Sequence, residues 1–297
     1  MKRLLITGAN GQLGSRIQGL WKTGYEVLCP DRQVLDLSRP EKIGPWIKAN
    51  RPDLIFNCAA YTAVDKAEAE AELAHLINTN APAELAKAAK ALKIPLIHYS
   101  TDYVFDGTKP GPYLESDPTA PLNQYGRSKA LGEEAVLAEG DLVYILRVSW
   151  LYSRSHPCFY QTMVRLLKER DELKVVNDQI GAPTAAGWAA FESGILAEKL
   201  LSWDLERSKT HRGIYHLSAS GQISWYEFAQ EILKSLNLVG QVDCNISPIP
   251  ADQYPLPAKR PQNSILSNQK RALIFGRPQM DWRTQFYAEV GSQLRQT

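Results

Sequence analysis

Residues 3–14 read Arg3-Leu4-Leu5-Ile6-Thr7-Gly8-Ala9-Asn10-Gly11-Gln12-Leu13-Gly14, a short apolar run entering a glycine-rich turn. From Gln12 to Trp21 the chain then carries Leu13, Ile17 and Leu20 at helical spacing. A strand that feeds a glycine turn and then an amphipathic helix is the opening of a dinucleotide-binding unit. Gly8 permits the tight turn, Gly11 removes a Cβ where a pyrophosphate must approach, and Gly14 lets the helix pack closely on the strand. The helix N-terminus supplies N–H groups and positive partial charge for the phosphates.

Outward from this turn, strand-like runs at Tyr25 to Cys29, Leu54 to Asn57, Pro95 to Ser100 and Leu142 to Val148 alternate with helical stretches. Helices are expected at Pro40 to Asn50, capped by Ser38 with Glu41 three residues on, and at Tyr125 to Ala138, with a long Ala/Glu-rich helical region from Asp65 to Leu92. Strands separated by crossover helices make a parallel sheet covered on both faces, so the expected fold is α/β, a Rossmann-like doubly wound sheet. Phe105 to Gln124 breaks into Gly, Pro and polar residues and reads as a long functional loop. Beyond Trp150 the alternation weakens. Leu173 to Val176 and Gly213 to Leu217 are strand-like, Ala185 to Leu201 and Trp225 to Leu236 helical, and Pro248 to Pro261 reads as an extended surface segment. Residues 1–150 are thus expected to form the dinucleotide domain and 151–297 mainly a smaller substrate lobe, with some segments returning to the first domain.

Composition narrows the function. With 34 Lys+Arg against 32 Asp+Glu and no dense basic run, the chain is not built to hold nucleic acid. No stretch offers ~18 uninterrupted apolar residues for a membrane span, and Leu4 to Ile6 is too short for a secretory core. Cys29, Cys58, Cys158 and Cys244 lie far apart without a C-x-x-C pair, and the histidines are scattered. Reduced thiols in a cytoplasmic protein with no Cys/His metal site are therefore expected.

Past the second strand stand Asp31-Arg32 and Asp36-Leu37. A carboxylate there would hydrogen-bond ribose hydroxyls, whereas a guanidinium would pair with the 2′-phosphate of NADP. Both are present, which leans to NADPH and leaves NADH open. Tyr125 and Lys129 share one face of a helix, about one turn apart. A nearby ammonium would lower the phenol from its reference pKa of about 10, and the phenol would then protonate a carbonyl oxygen as hydride arrives at carbon. Thr101, where the fourth strand ends, is placed to hydrogen-bond the same carbonyl.

TGANGQLG at the N-terminus, NCAAYTAVDKAE at Asn57 to Glu68, STDYVFDG at Ser100 to Gly107 and YGRSK at Tyr125 to Lys129 resemble the extended short-chain dehydrogenase/reductase superfamily. LRVSWLY at Leu146 to Tyr152, NDQIGAPT at Asn177 to Thr184 and RPQNSILS at Arg260 to Ser267 are similar, more narrowly, to the dTDP-4-dehydrorhamnose reductase family. That resemblance implies a 4-keto sugar attached to dTDP, reduced at C4 by NAD(P)H to give dTDP-L-rhamnose. It implies a catalytic set of Thr101, Tyr125 and Lys129, with Tyr125 the proton donor and Lys129 holding the nicotinamide ribose. Asn10, Gln12 and Leu13 would add cofactor contacts, and Ala59, Ala60 and Tyr61 would flank the cofactor. On the substrate side it implies Asp102 positioning the sugar, Trp150 stacking on the hexose, Asn177 and Gln179 lining the pocket and Arg260 on the diphosphate. Some family members bind Mg²⁺ between protomers through glutamates. Here one of those positions is Arg16, whose cation would repel the ion, so no metal is expected, and the assembly is left as monomer or homodimer. Two other functions fit the same motifs. One is a non-catalytic NADP-binding subunit like the methionine adenosyltransferase β subunit, disfavoured because Thr101, Tyr125 and Lys129 are all retained. The other is a reductase of a different nucleotide-linked keto sugar.

Overall fold

The computed structural model describes residues 1–238, 240 and 242–291. Five strands from the first half, β1 (Lys2–Thr7), β2 (Tyr25–Leu28), β3 (Leu54–Asn57), β4 (Leu96–Thr101) and β5 (Val143–Val148), lie parallel in one sheet. A sixth, Gly213–His216, comes from the second half and pairs parallel with β5, giving the order Gly213–His216, β5, β4, β3, β1, β2. The direction of winding reverses at β1, so a crevice opens beyond the C-terminal ends of β1 and β3.

Both faces are covered, as a parallel sheet requires. Leu4 and Ile6 of β1 point into one cluster with Ile17 and Leu196, while Leu5 points the other way to Ile43, Ile47 and Leu85. The Ala186–Ser202 helix, expected in the substrate lobe, packs on the Gln12–Leu20 helix, where Gly194 admits Leu20 and Trp21.

Two local details were not visible in the sequence pattern. The helical region from Asp65 to Leu92 is present but divided: Val64–Ala67, Ala71–His75 and Ala81–Leu92 are separate α segments, with a π turn at Leu76–Asn80. Within that turn the Asn78 amide donates to Tyr61 O and Ser128 Oγ at 3.0 and 2.9 Å, and its carbonyl oxygen accepts from Tyr61 N at 2.8 Å. Gly132 packs against it so closely that a Cβ there would lie 2.1 Å from the Asn78 backbone oxygen. Tertiary contacts thus widen the turn that composition alone would wind as α. Ser38 is not the cap of the next helix. Its hydroxyl donates to Asp36 Oδ1 at 2.7 Å, and a 3₁₀ turn at Pro40–Lys42 precedes the Ile43–Asn50 helix.

The Gln124–Glu139 helix is fixed to the sheet by a fully buried ion pair. Arg147 on β5 donates from Nε and Nη2 to the two oxygens of Glu133 at 2.8 and 2.6 Å. Breaking a pair this deeply buried typically costs about 3–5 kcal/mol, so it locks the helix that carries Tyr125 and Lys129.

The second lobe places the helices Phe159–Glu169 and Trp225–Asn237 with a parallel strand pair, Glu172–Val176 and Asn245–Ile249. A short antiparallel ribbon joins Ile180–Gly181 to Ile223–Ser224. The Phe105–Gln124 loop is docked rather than free: Tyr113 N donates to Ile265 O at 2.8 Å, and the Phe105 and Tyr113 rings stack. The proline-rich segment is also tied down, with Ala258 buried and its N–H donating to Asp65. All four cysteines are unpaired. Among the described residues no helix is long and apolar enough to cross a membrane.

Candidate active site

One cleft of about 760 Å³ runs from the glycine turn, across the ends of β1, β3 and β4, to the second lobe. At its first end lies the turn. Gly8 has φ +65°, and a Cβ there would lie 2.7 Å from the backbone of Ala59. Gly14 does not reach the cleft; its missing Cβ would stand 2.2 Å from Gly8 O, so this glycine is what seats the helix on the turn. At Gly11 the nearest atom would be 3.3 Å away, which leaves its outer side open. The Gln12–Leu20 helix has no side-chain N-cap and no acidic residue in its first turn, so its N-terminal N–H groups suit an anion. These residues fit a dinucleotide pyrophosphate.

Asp31 and Arg32 divide the remaining work. The Asp31 carboxylate accepts from Gln33 N and Val34 N at 2.9 and 3.0 Å, and Asp36 likewise accepts from Ser38. Arg32 is mostly exposed at the cleft edge, with Asp36 at 3.6 Å its nearest ion-pair partner. Its guanidinium is the exposed cation at this edge of the cleft, a group whose chemistry suits a phosphate. Leu37, Ala59 and Ala60 also line this end, with Asn10, Gln12 and Leu13.

The middle of the cleft brings together Thr101, Asp102, Tyr125 and Lys129. Asn123 caps the Gln124–Glu139 helix by accepting from Gly126 N at 2.8 Å, which fixes Tyr125 in the first turn. Burial pushes the Tyr125 phenol up to about 12, while a hydrogen bond with Thr101 draws it down and the Asp102 charge raises it. The acidification expected from Lys129 is absent. The Lys129 ammonium donates instead to Tyr99 O at 2.6 Å and sits 3.4 Å from His98 Nε2. Burial brings Lys129 down to about 8, opposed by Glu133. The phenol is therefore fully protonated at neutral pH, the state a proton donor needs.

Thr101 donates to Asp102 Oδ1 at 3.1 Å and accepts from Tyr103 N at 3.2 Å. Asp102 is buried, and its Oδ2 has no hydrogen-bond partner. Burial raises its carboxyl to about 6 despite the hydroxyls of Ser264, Thr101 and Ser149. A buried acceptor left unsatisfied is a costly feature.

Behind Lys129 runs a buried polar chain that the sequence reading missed. His98 Nδ1 meets the Asn57 amide at 2.8 Å, and Thr7 bonds Asn57 at 2.7 Å. Burial, then the neighbouring Lys129 charge, hold His98 far below its usual range, so it stays neutral. The only sequence signal was a polar residue inside an otherwise apolar strand.

Four expected residues do not line the cleft. Tyr61 donates its hydroxyl to Glu70, and Asn177 and Gln179 lie in the second lobe outside the cleft wall. Arg260 pairs with Asp65 at 2.7 Å and approaches the site only through Tyr103, whose ring packs edge-on against Tyr125. Trp150 does line the cleft, but its face is not available to a hexose, because it is stacked on Trp225 with ring centroids 3.4 Å apart and planes 6° from parallel. Trp225 was not foreseen as a site residue. Its only signal was its place just inside the capping box of Ser224 and Glu227. Arg16 forms an ion pair with Glu289, and among the described residues no group of three or more His, Cys, Asp or Glu is arranged to hold a metal.

A dinucleotide cradle that opens onto a protonated phenol and hydroxyl is what carbonyl reduction by a nicotinamide cofactor demands, and it defines an oxidoreductase of the extended short-chain dehydrogenase/reductase class. Within that class the assignment is narrow. The family model described as "RmlD substrate binding domain" matches residues 1–293, and the chain belongs to that family, the dTDP-4-dehydrorhamnose reductases. It is 42% identical over 287 residues to the dTDP-4-dehydrorhamnose reductase of Burkholderia thailandensis, covering 95% of each chain. With the enzyme of that name from Escherichia coli K12 it shares 39% over 286 residues, 94% of each. Among solved structures it resembles a dTDP-4-dehydrorhamnose reductase from Clostridium acetobutylicum (TM-score 0.88, 37% identity, 99% of this chain and 100% of that one). The Bacillus anthracis enzyme of that name, solved in complex with NADP, superposes with TM-score 0.87 at 36% identity, covering 98% of this chain and 100% of that one.

Proposed function

We propose that the chain reduces the C4 ketone of a dTDP-linked 6-deoxy-hexulose with NADPH, giving dTDP-L-rhamnose. The observation that carries this reading is the protonated Tyr125 phenol, which lines the same cleft as the glycine turn together with Thr101, Asp102 and Lys129. The names of the relatives supply the substrate. The glycine turn and the first turn of the Gln12–Leu20 helix hold the pyrophosphate, and Arg32 takes the 2′-phosphate, which favours NADPH over NADH. Bound NADPH supplies the hydride. Thr101 orients the ketone oxygen, and Tyr125 gives that oxygen its proton. A phenol near 12 still protonates an alkoxide readily, because the alkoxide is the far stronger base. Asp102, which lines the cleft beside Thr101, positions the sugar, and Lys129, charged below about 8, steadies the nicotinamide ribose. The substrate is a small nucleotide sugar met in the cytoplasm by a monomer or homodimer, without nucleic acid or membrane.

The test mixes the protein with NADPH and dTDP-4-keto-6-deoxy-L-mannose and follows the nicotinamide absorbance. Loss of absorbance that depends on the sugar is expected; none would overturn the reading.

A further inference from the structure

Trp150 stands at the end of β5 with φ +47°, in the left-handed region that a bulky residue rarely adopts. Something must hold it there. One face of its indole lies on Trp225, as described above. On the other side, a Cβ built on Gly181 would fall 2.4, 2.7 and 2.8 Å from Cε2, Nε1 and Cδ2 of Trp150. Cε2 and Cδ2 are the atoms shared by the two fused rings. Near-equal closeness to them and to Nε1 puts Gly181 over the ring plane, not at its rim.

Gly181 and Trp225 come from one device. Ile223 pairs with Gly181 and Ser224 with Ile180 in the antiparallel ribbon of the second lobe, and Trp225 follows directly as the first residue of its helix. The capping box fixes that first turn: Glu227 N donates to Ser224 Oγ at 3.1 Å and Ser224 N donates to Glu227 at 2.8 Å. Phe159 packs against Trp225 from within the lobe at 4.4 Å between centroids. The second lobe therefore grips the indole that the first domain extends.

We propose that Gly181 and Trp225 clamp Trp150 and so position it for the sugar; Trp225 also lines the cleft beside it, whereas Gly181 does not and acts only through Trp150. The clamp pins the two lobes together at the sugar end and holds the indole edge against the cleft, so the hexose meets a wall set by an aromatic stack. The glycine turn lies at the opposite end, so the clamp bears on the nucleotide sugar and not on the cofactor. The inference rests on the reductase reading above.

The experiment measures steady-state NADPH oxidation with dTDP-4-keto-6-deoxy-L-mannose, together with direct NADPH binding, for wild type, Trp225→Ala, Trp225→Phe and Gly181→Ala. Trp225→Ala should raise KM for the nucleotide sugar about tenfold, the scale of one lost aromatic stack, with NADPH Kd within about twofold of wild type. Trp225→Phe should recover part of that loss. Gly181→Ala, which drives a methyl into the other face, should raise the same KM. If Trp225→Ala fails to fold, Trp225→Phe and Gly181→Ala decide alone. An active wild type with unchanged sugar KM in the folded variants would overturn the clamp and leave the reductase reading standing. Equal weakening of NADPH and sugar would also overturn it, as a merely structural role. An inactive wild type would overturn the reductase reading and the clamp with it.

Discussion

At the cofactor end of the cleft, residues from Thr7 to Leu13 arrive in one continuous stretch, and their geometry follows from where glycine stands in it. At the second-lobe end, Trp150, Gly181 and Trp225 converge from three separate segments, and nothing in any one of them announces the other two. The first end is local backbone chemistry: positive φ, a missing Cβ, N–H groups at a helix start. The second is tertiary packing, in which a strained residue is held by its neighbours. Damage at the two ends should therefore look different.

Gly14→Ala is the sharpest probe of the first end. Its methyl would meet the backbone of Gly8 at 2.2 Å, with no flexible side chain to yield. Overpacking of this kind should cost about 3 kcal/mol and lower the melting temperature by roughly 6–12 °C, measurable by thermal denaturation. An unchanged melting temperature would contradict the seating role.

Asp102→Asn probes the middle of the cleft, where the sign of the effect is unusual. The Asp102 carboxyl rises from its ordinary 3.8 to about 6 on folding. A raised acid costs nothing below the lower value, and its penalty grows as pH climbs through the higher one. At pH 8 that penalty is roughly 3 kcal/mol, so the Asn variant should melt above wild type there, with the gap closing toward pH 4. Its turnover should fall, because the amide replaces one of the two acceptor oxygens with a donor. A melting difference that ignores pH would contradict the burial argument.

Gly11→Ala should leave the fold nearly intact, since its methyl would meet only Gly8 O at 3.3 Å. It should still weaken NADPH about tenfold by standing where the phosphates approach, checked by cofactor titration. Gly14→Ala and Gly11→Ala thus separate stability from binding within one turn. EDTA is the smallest effect: none on activity is expected, because the Arg16 cation already pairs with Glu289. Strict Mg²⁺ dependence would contradict that.

The same contrast explains what was legible beforehand. Strands β1 to β5 and the helix carrying Tyr125 and Lys129 were readable because apolar periodicity and glycine position are local properties. Thr101 and Asp102 were readable because strand ends line the crevice. The π turn at Leu76–Asn80 was not, since Asn78 makes it through Tyr61 and Ser128 from elsewhere in the chain. The sixth strand, Gly213–His216, looked like part of the second lobe because pairing with β5 leaves no mark in its own sequence. Lys129 was expected beside the phenol because helical spacing brings the two side chains onto one face. The buried carbonyl of Tyr99 captures the ammonium instead. The stacked partner of Trp150 was invisible for the same reason: a ring face shows no preference in sequence for what will cover it.

The central claim is that the Tyr125 phenol protonates the ketone oxygen as hydride reaches carbon. Single-turnover oxidation of NADPH by Tyr125→Phe, at saturating cofactor and dTDP-4-keto-6-deoxy-L-mannose, tests it most directly. The account predicts a rate about 10² or more below wild type with NADPH Kd unchanged. A rate equal to wild type would contradict it.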